Sequence, residues 1–124
     1  MSEEIKNEEV SNIIEITSKD QFTEVVSWDK LTIVDFWAEW CGPCRLMIPL
    51  LHKVAWKHPE LQLATVNVDA NWEIAAEFEV NSIPAIFFMK NWEIVYNFVW
   101  AMPEDEVEKI IQNLNKPAEE SEDK

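Results

Sequence analysis

The chain has 124 residues with a formal net charge of −14, and 48% of its residues are hydrophobic. This length fits one globular domain with a core of its own, and the negative charge argues against a nucleic-acid partner, whose phosphates it would repel. No apolar run approaches the roughly 20 residues that a membrane-spanning helix requires.

The first half of the chain predicts two strands, each followed by a helix. Residues 13–17 form an apolar strand, and Ser18 with Gln21 three positions later resembles a capping box that begins a helix. Residues 31–37 are β-branched and aromatic, which is the composition of a buried strand. Apolar residues at helical spacing then predict a long helix at about 41–56.

The second half predicts three strands and two helices. Residues 61–69 alternate as a strand does, and a short helix follows at 72–78. The strands 85–89 and 94–99 are joined by a short link, which makes them an antiparallel hairpin. The last helix begins at Pro103, since proline is favoured at the first helical position.

This order, β-α-β-α-β-α-β-β-α, predicts an α/β fold in which a central mixed sheet of about five strands is flanked on both faces by about four helices. We expect the folded domain to cover 11–115 and the acidic ends, 1–10 and 116–124, to be disordered. The chain start shows neither the basic nor the apolar region of a secretory signal, so a cytoplasmic location is expected.

The two cysteines, Cys41 and Cys44, lie where the second predicted strand gives way to the long helix. At a helix N-terminus, unpaired N–H groups and the macrodipole stabilise a thiolate, which makes Cys41 a nucleophile. Cys44 is one turn further and can close a disulfide, so one thiol attacks and the other resolves a mixed disulfide. A zinc site would need four ligands, and His52 and His58 do not complete a zinc-finger spacing.

The residues 40–44, Trp-Cys-Gly-Pro-Cys, follow an apolar strand that bears Asp35, and this arrangement resembles the active site of the thioredoxin family. The residues 82–85, Ser-Ile-Pro-Ala, are similar to the second landmark of that family, an Ile–cis-Pro that faces the cysteines. The resemblance covers about 13–114 and implies the thioredoxin fold.

The resemblance also implies roles for other side chains. Asp35 lies mid-strand among apolar residues, where desolvation raises a carboxyl pKa, and would accept the proton of Cys44; the alternative is an exposed aspartate on the other face. Many family members place a lysine near this aspartate, whereas Thr65 stands there in this chain. Gly42 and Pro43 would tighten the active-site turn beside Trp40. The implied substrate groove consists of Trp40, Ile83, Pro84, Val99, Trp100 and Ala101.

The expected function is that of a protein thiol–disulfide oxidoreductase, an enzyme that reduces disulfides in client proteins. The resemblance implies recycling by a thioredoxin-reductase-like electron donor and a place in electron transport and cell redox homeostasis. No bound cofactor beyond the redox-active Cys41–Cys44 pair, no metal, no membrane and a monomer are expected. The alternatives are a binding module with incidental redox chemistry and an exported oxidase or isomerase, which the Gly-Pro dipeptide and the chain start disfavour.

The tryptophan and glycine counts are unusual. The chain has seven tryptophans and one glycine, where average usage near 7% predicts about nine glycines. Five tryptophans fall where glycine is typical of helix ends, hairpins or the loop before Ala101; these outlying tryptophans are Trp28, Trp56, Trp72, Trp92 and Trp100. One hypothesis is that the natural gene encodes glycine at all five, by a codon such as UGA read under another code; the alternative is that the tryptophans are genuine.

Overall fold

The structure is a computed structural model that describes residues 12–115; both predicted disordered ends lie outside the described residues. The strands in this range are β1 (Ile13–Glu15), β2 (Thr32–Trp37), β3 (Gln62–Asn67), β4 (Ala85–Lys90) and β5 (Glu93–Phe98). The helices in the same range are α1 (Lys19–Val26), α2 (Gly42–Lys57), α3 (Trp72–Glu77) and α4 (Glu104–Leu114). The order of elements is the predicted one.

One five-stranded sheet organises the domain, with the spatial order β1-β3-β2-β4-β5. Strands β1 and β2 run parallel to β3, while β4 is antiparallel to both β2 and β5. The predicted mixed sheet and its terminal hairpin are therefore confirmed. Strand β2 lies at the centre, and its first five residues are all buried because helices cover both faces of the sheet.

The core has one apolar cluster on each face of the sheet. The first cluster joins α2 and α4 to the sheet through side chains that include Leu51, Val54, Phe88, Val107 and Ile111. The second joins α1 and α3 to the opposite face through side chains that include Phe22, Val26, Phe36, Ile74 and Phe87. Helices on both faces fix β2 in position, and the end of this strand leads directly into the cysteine turn.

The helix ends agree with the sequence in one place and differ in two. Ser18 caps α1 by accepting a hydrogen bond from the Gln21 backbone N–H at 3.1 Å, as predicted. Pro103 precedes α4 as an extended cap rather than forming its first helical residue. Trp56 lies inside α2, which ends with Lys57 and is capped by His58, so the expected glycine-type helix end at Trp56 is wrong.

The hairpin turn between β4 and β5 has a left-handed backbone. Asn91 and Trp92 have φ angles of 49° and 75°, the pattern of a two-residue turn that favours Asn-Gly. Of the five outlying tryptophans, Trp92 alone has a positive φ, so the conformational argument for glycine applies there and not at the other four. Among residues 12–115, no helix is long and apolar enough to cross a membrane.

Candidate active site

The two cysteines form a disulfide at the start of α2. Cys41 is the N-cap residue of this helix, and its Sγ accepts a hydrogen bond from the Cys44 backbone N–H at 3.2 Å. The two Cα atoms are 5.3 Å apart, within the ordinary range for a disulfide. The sulfur of Cys41 thus lies where free helix N–H groups and the helix dipole favour negative charge.

Both cysteines are largely shielded from solvent in this disulfide form. Cys41 is 4% exposed and Cys44 is fully buried. The cysteines pack against Ala38 and are covered by the partly buried side chains of Trp37 and Ile83. The small exposed fraction of Cys41 still leaves it the more accessible of the two residues.

The turn around the cysteines is open on its outer side. Gly42 and Pro43 are exposed, and a Cβ atom added to Gly42 would meet no other atom within 4 Å. Trp40 is 68% exposed, but its orientation is fixed because its Nε1 donates to Asp69 Oδ2 at 3.0 Å. Asp69, in the turn after β3, was not singled out from the sequence, because it is 29 positions from Trp40 and no local pattern links the two residues.

Asp35 lies in the middle of β2 and is 1% exposed. Both of its carboxyl oxygens are buried and have no hydrogen-bond partner among the described residues. Burial therefore raises the pKa of Asp35 to about 7. The alternative of a solvent-exposed aspartate is wrong, and the carboxyl has a pKa that suits proton transfer near neutrality.

The Ile83–Pro84 peptide bond is cis, as the family resemblance implied. Pro84 is buried and Ile83 is partly buried beside the cysteines. This arrangement places the second predicted landmark against the disulfide, although Pro84 comes 40 positions after Cys44 in the sequence. The fold therefore joins the two segments that carried the resemblance.

The predicted groove residues after β5 are exposed. Val99 and Trp100 are 44% and 54% exposed, and Ala101 is exposed as well. The Trp100 ring packs against Phe98 with the centroids 5.7 Å apart. The backbone N–H of Met102 donates to the sulfur of Met47 in α2 at 3.3 Å, which anchors this loop one helical turn beyond Cys44.

The two histidines occupy different surroundings. His52 is exposed on α2, and burial of part of its ring lowers its pKa. The His58 ring nitrogens lie 2.9 Å from Glu60 and 2.8 Å from Glu108, so His58 is bound by carboxylates rather than freely solvated. Within residues 12–115, no three His, Cys, Asp or Glu side chains are grouped as a metal would require.

Comparisons with known proteins agree with this geometry. The thioredoxin family model matches residues 13–113. The chain is 37% identical to a thioredoxin of Chlorobaculum thiosulfatiphilum over 98 residues, covering 78% of this chain and 91% of that protein. It is 38% identical to bovine mitochondrial thioredoxin over 91 residues, covering 73% of this chain but 55% of that longer protein.

Two further comparisons concern a fused protein and a solved structure. The chain is 36% identical to a bifunctional thioredoxin reductase/thioredoxin of Mycobacterium leprae, covering 82% of this chain and 23% of that protein. The solved structure of Malassezia sympodialis thioredoxin superimposes with a TM-score of 0.74 at 33% identity, covering 81% of this chain and 89% of that one.

Proposed function

The chain belongs to the thioredoxin family and is a protein thiol–disulfide oxidoreductase, and we propose that Cys41, Cys44 and Asp35 perform its reaction in three distinct roles. Cys41 is the attacking thiol, Cys44 the resolving thiol and Asp35 the proton acceptor. The observation that carries this proposal is the Cys41–Cys44 disulfide at the first residues of α2.

In the first step, the reduced protein attacks a client disulfide. The Cys41 thiolate, stabilised by the N-terminus of α2, bonds to one client sulfur and forms a mixed disulfide. The other client sulfur leaves as a thiolate and takes a proton from water. Cys41 is the attacker because it is the helix N-cap and the more accessible cysteine.

In the second step, the mixed disulfide is resolved within the protein. The Asp35 carboxylate accepts the Cys44 proton, with water as carrier, and the Cys44 thiolate bonds to Cys41 Sγ. The bond from Cys41 to the client breaks, the second client thiolate leaves, and the Cys41–Cys44 disulfide remains. A carboxyl with a pKa of about 7 is ionised often enough to accept this proton and weak enough to release it again near neutral pH.

The client is held by the apolar rim around the disulfide. An extended client segment pairs with the backbone of Ile83, whose cis bond to Pro84 turns the chain beside the cysteines. The exposed side chains of Trp40, Val99 and Trp100, together with Ala101, provide the apolar contacts. This groove recognises backbone and apolar surface, which suits a protein that acts on many disulfides.

The oxidised protein is returned to the dithiol form by a thioredoxin reductase. The Mycobacterium leprae relative carries both names in one polypeptide, which supports a direct partnership between such domains. We further propose that the protein acts as a monomer in the cytoplasm as part of electron transport, with the cysteine pair as its redox group and no added cofactor.

A pair of cysteine variants tests the assignment of roles. We expect Cys41→Ser to abolish reduction of insulin disulfides, because no sulfur remains to form the mixed disulfide. We expect Cys44→Ser to attack normally but to accumulate a mixed disulfide through Cys41, detectable by mass spectrometry. Retained turnover in Cys41→Ser, or trapping of the client on Cys44 instead, would overturn the proposal.

A further inference from the structure

A cleft of about 420 Å³ opens between α2 and the side of the sheet formed by β1, β2 and β3. It is lined by Ile13, Glu15, Trp37, Ile48, His52 and Thr65. Its volume exceeds many times the roughly 30 Å³ that one water molecule occupies. The site proposed above uses none of these six side chains as a reacting group.

Two of the residues that line the cleft, Thr65 and Trp37, are neighbours of Asp35 in the sheet. Thr65 is the residue of β3 directly paired with Asp35, and residues paired across a ladder share a face of the sheet. Trp37 is two positions further along β2, which places it on the same face. The buried Asp35 carboxyl therefore lies on the face where the cleft opens, with no protein group bonded to either oxygen in the described part of the chain.

Few charged groups approach Asp35 from the surrounding elements. Its partner on β3 is Thr65 and its partner on β4 is Ile86, neither of which titrates. In the cleft, β1 contributes Glu15 and α2 contributes His52. Because Thr65 is short and uncharged, no side chain of β3 fills the cleft or offers Asp35 a cation.

We propose that water in this cleft carries the proton of Asp35 outward and that the imidazole of His52 passes it to bulk solvent. His52 is a positioning residue that acts through Asp35 and does not touch the client. Histidine is the side chain whose charge ordinarily changes near neutral pH. Because partial burial lowers the pKa of His52, its imidazole is neutral at pH 7, and the imidazolium formed in the relay readily gives its proton to solvent.

This route rests on the proposed function, and every proton taken up along it is released again. Cys44 gives its proton to the Asp35 carboxylate, water in the cleft moves the proton from Asp35 to the free ring nitrogen of His52, and the imidazolium releases it to solvent. The two client thiolates take their protons from the same solvent. Asp35 and His52 both return to their starting forms, so no further reactant is consumed.

The test measures how fast Asp35 exchanges its proton with solvent, without any client. In the oxidised protein with ¹³C-labelled aspartate, the side-chain resonance of Asp35 near pH 7 reports exchange between the two protonation states by its line width. We expect His52→Gln to slow this exchange by about tenfold or more. The loss should stay below the roughly hundredfold that a positioned acid–base group can supply, because water still enters the cleft. Added imidazole should restore the rate.

Two further variants make the result decisive. His58→Gln removes the other histidine, which is held by Glu60 and Glu108, and should leave the exchange rate unchanged. Thr65→Leu partly fills the cleft and should slow the exchange while His52 remains. Wild-type exchange in His52→Gln or in Thr65→Leu, or a loss that imidazole does not restore, would overturn the relay. The insulin assay with Cys41→Ser tests the proposed function independently of this relay.

Discussion

At Trp92, in the hairpin turn, we expect the glycine variant to be more stable than the alanine variant, the reverse of the order usually found in helices and strands. Trp92 has a φ of 75°, a region that costs an L-residue with a Cβ about 1–2 kcal/mol. Trp92→Ala and Trp92→Gly lose the same half-exposed indole, so their difference isolates the backbone. Glycine relieves the left-handed cost but adds about 0.5–1 kcal/mol of backbone entropy, so Trp92→Gly should be the more stable variant by about 0.5–1 kcal/mol.

The turn keeps its conformation in both variants because its backbone is bonded elsewhere. The N–H of Asn91 donates to the carbonyl of Trp28 at 2.7 Å, and the N–H of Trp92 donates to that of Val26 at 3.0 Å. Neither bond uses the indole. The substitution therefore changes the strain at position 92 without releasing the loop.

Trp56 provides the matched control. It is 66% exposed and lies inside α2, where glycine is less favourable than alanine by about 1 kcal/mol. Urea unfolding of the four variants, followed by far-ultraviolet circular dichroism, should give opposite signs for the glycine–alanine difference at 92 and at 56. Equal signs, or alanine as the more stable residue at 92, would refute a left-handed backbone at this turn.

Three further predictions concern proton linkage, the groove and the natural residues. The folded Asp35 has a pKa of about 7 against 3.8 for the ordinary group, so between these values the folded form holds a proton that the unfolded form has lost. The unfolding free energy of the wild type therefore falls as the pH rises from 4 through 7, and Asp35→Asn should gain up to about 4 kcal/mol relative to it. A difference between the two proteins that stays constant with pH in urea titrations would contradict this. Trp100→Gly should raise insulin reduction, because the indole crowds the groove more than its apolar contact helps to hold the client, and unchanged turnover would count against obstruction. The hypothesis of glycine at the five outlying tryptophans rests on composition and, at Trp92 alone, on backbone conformation; an intact mass of the protein from its natural source that matches five glycines would confirm it, and five tryptophans in its peptides would end it.

Local signals were sufficient for the elements that surround the active site. The buried composition of β2 and the cysteine turn after it lie within one continuous stretch of sequence, and the Ser18 cap depends on a residue three positions away. The Asn91–Trp92 turn was likewise predictable, because a two-residue hairpin turn requires positive φ angles at its central residues. These features were predicted since their causes are close in the chain.

Contacts between distant residues explain what the sequence did not predict. The Nζ of Lys57, at the end of α2, donates to Glu104 of α4 at 2.6 Å across 47 positions. The bond from Trp40 to Asp69 spans 29 positions. Neither pairing could be inferred before the sheet order and the helix packing were known.

The same dependence on packing separates the two carboxylates near the active site. Asp35 and Asp69 are the same residue type, yet Asp35 is enclosed by paired strands and helix α2, while Asp69 lies in a turn and accepts a hydrogen bond from Trp40. Burial without a partner raises the pKa of Asp35 and suits it to proton transfer. Position in the sheet, rather than chemical identity, therefore decides which aspartate can act as a base and which one orients the tryptophan beside the disulfide.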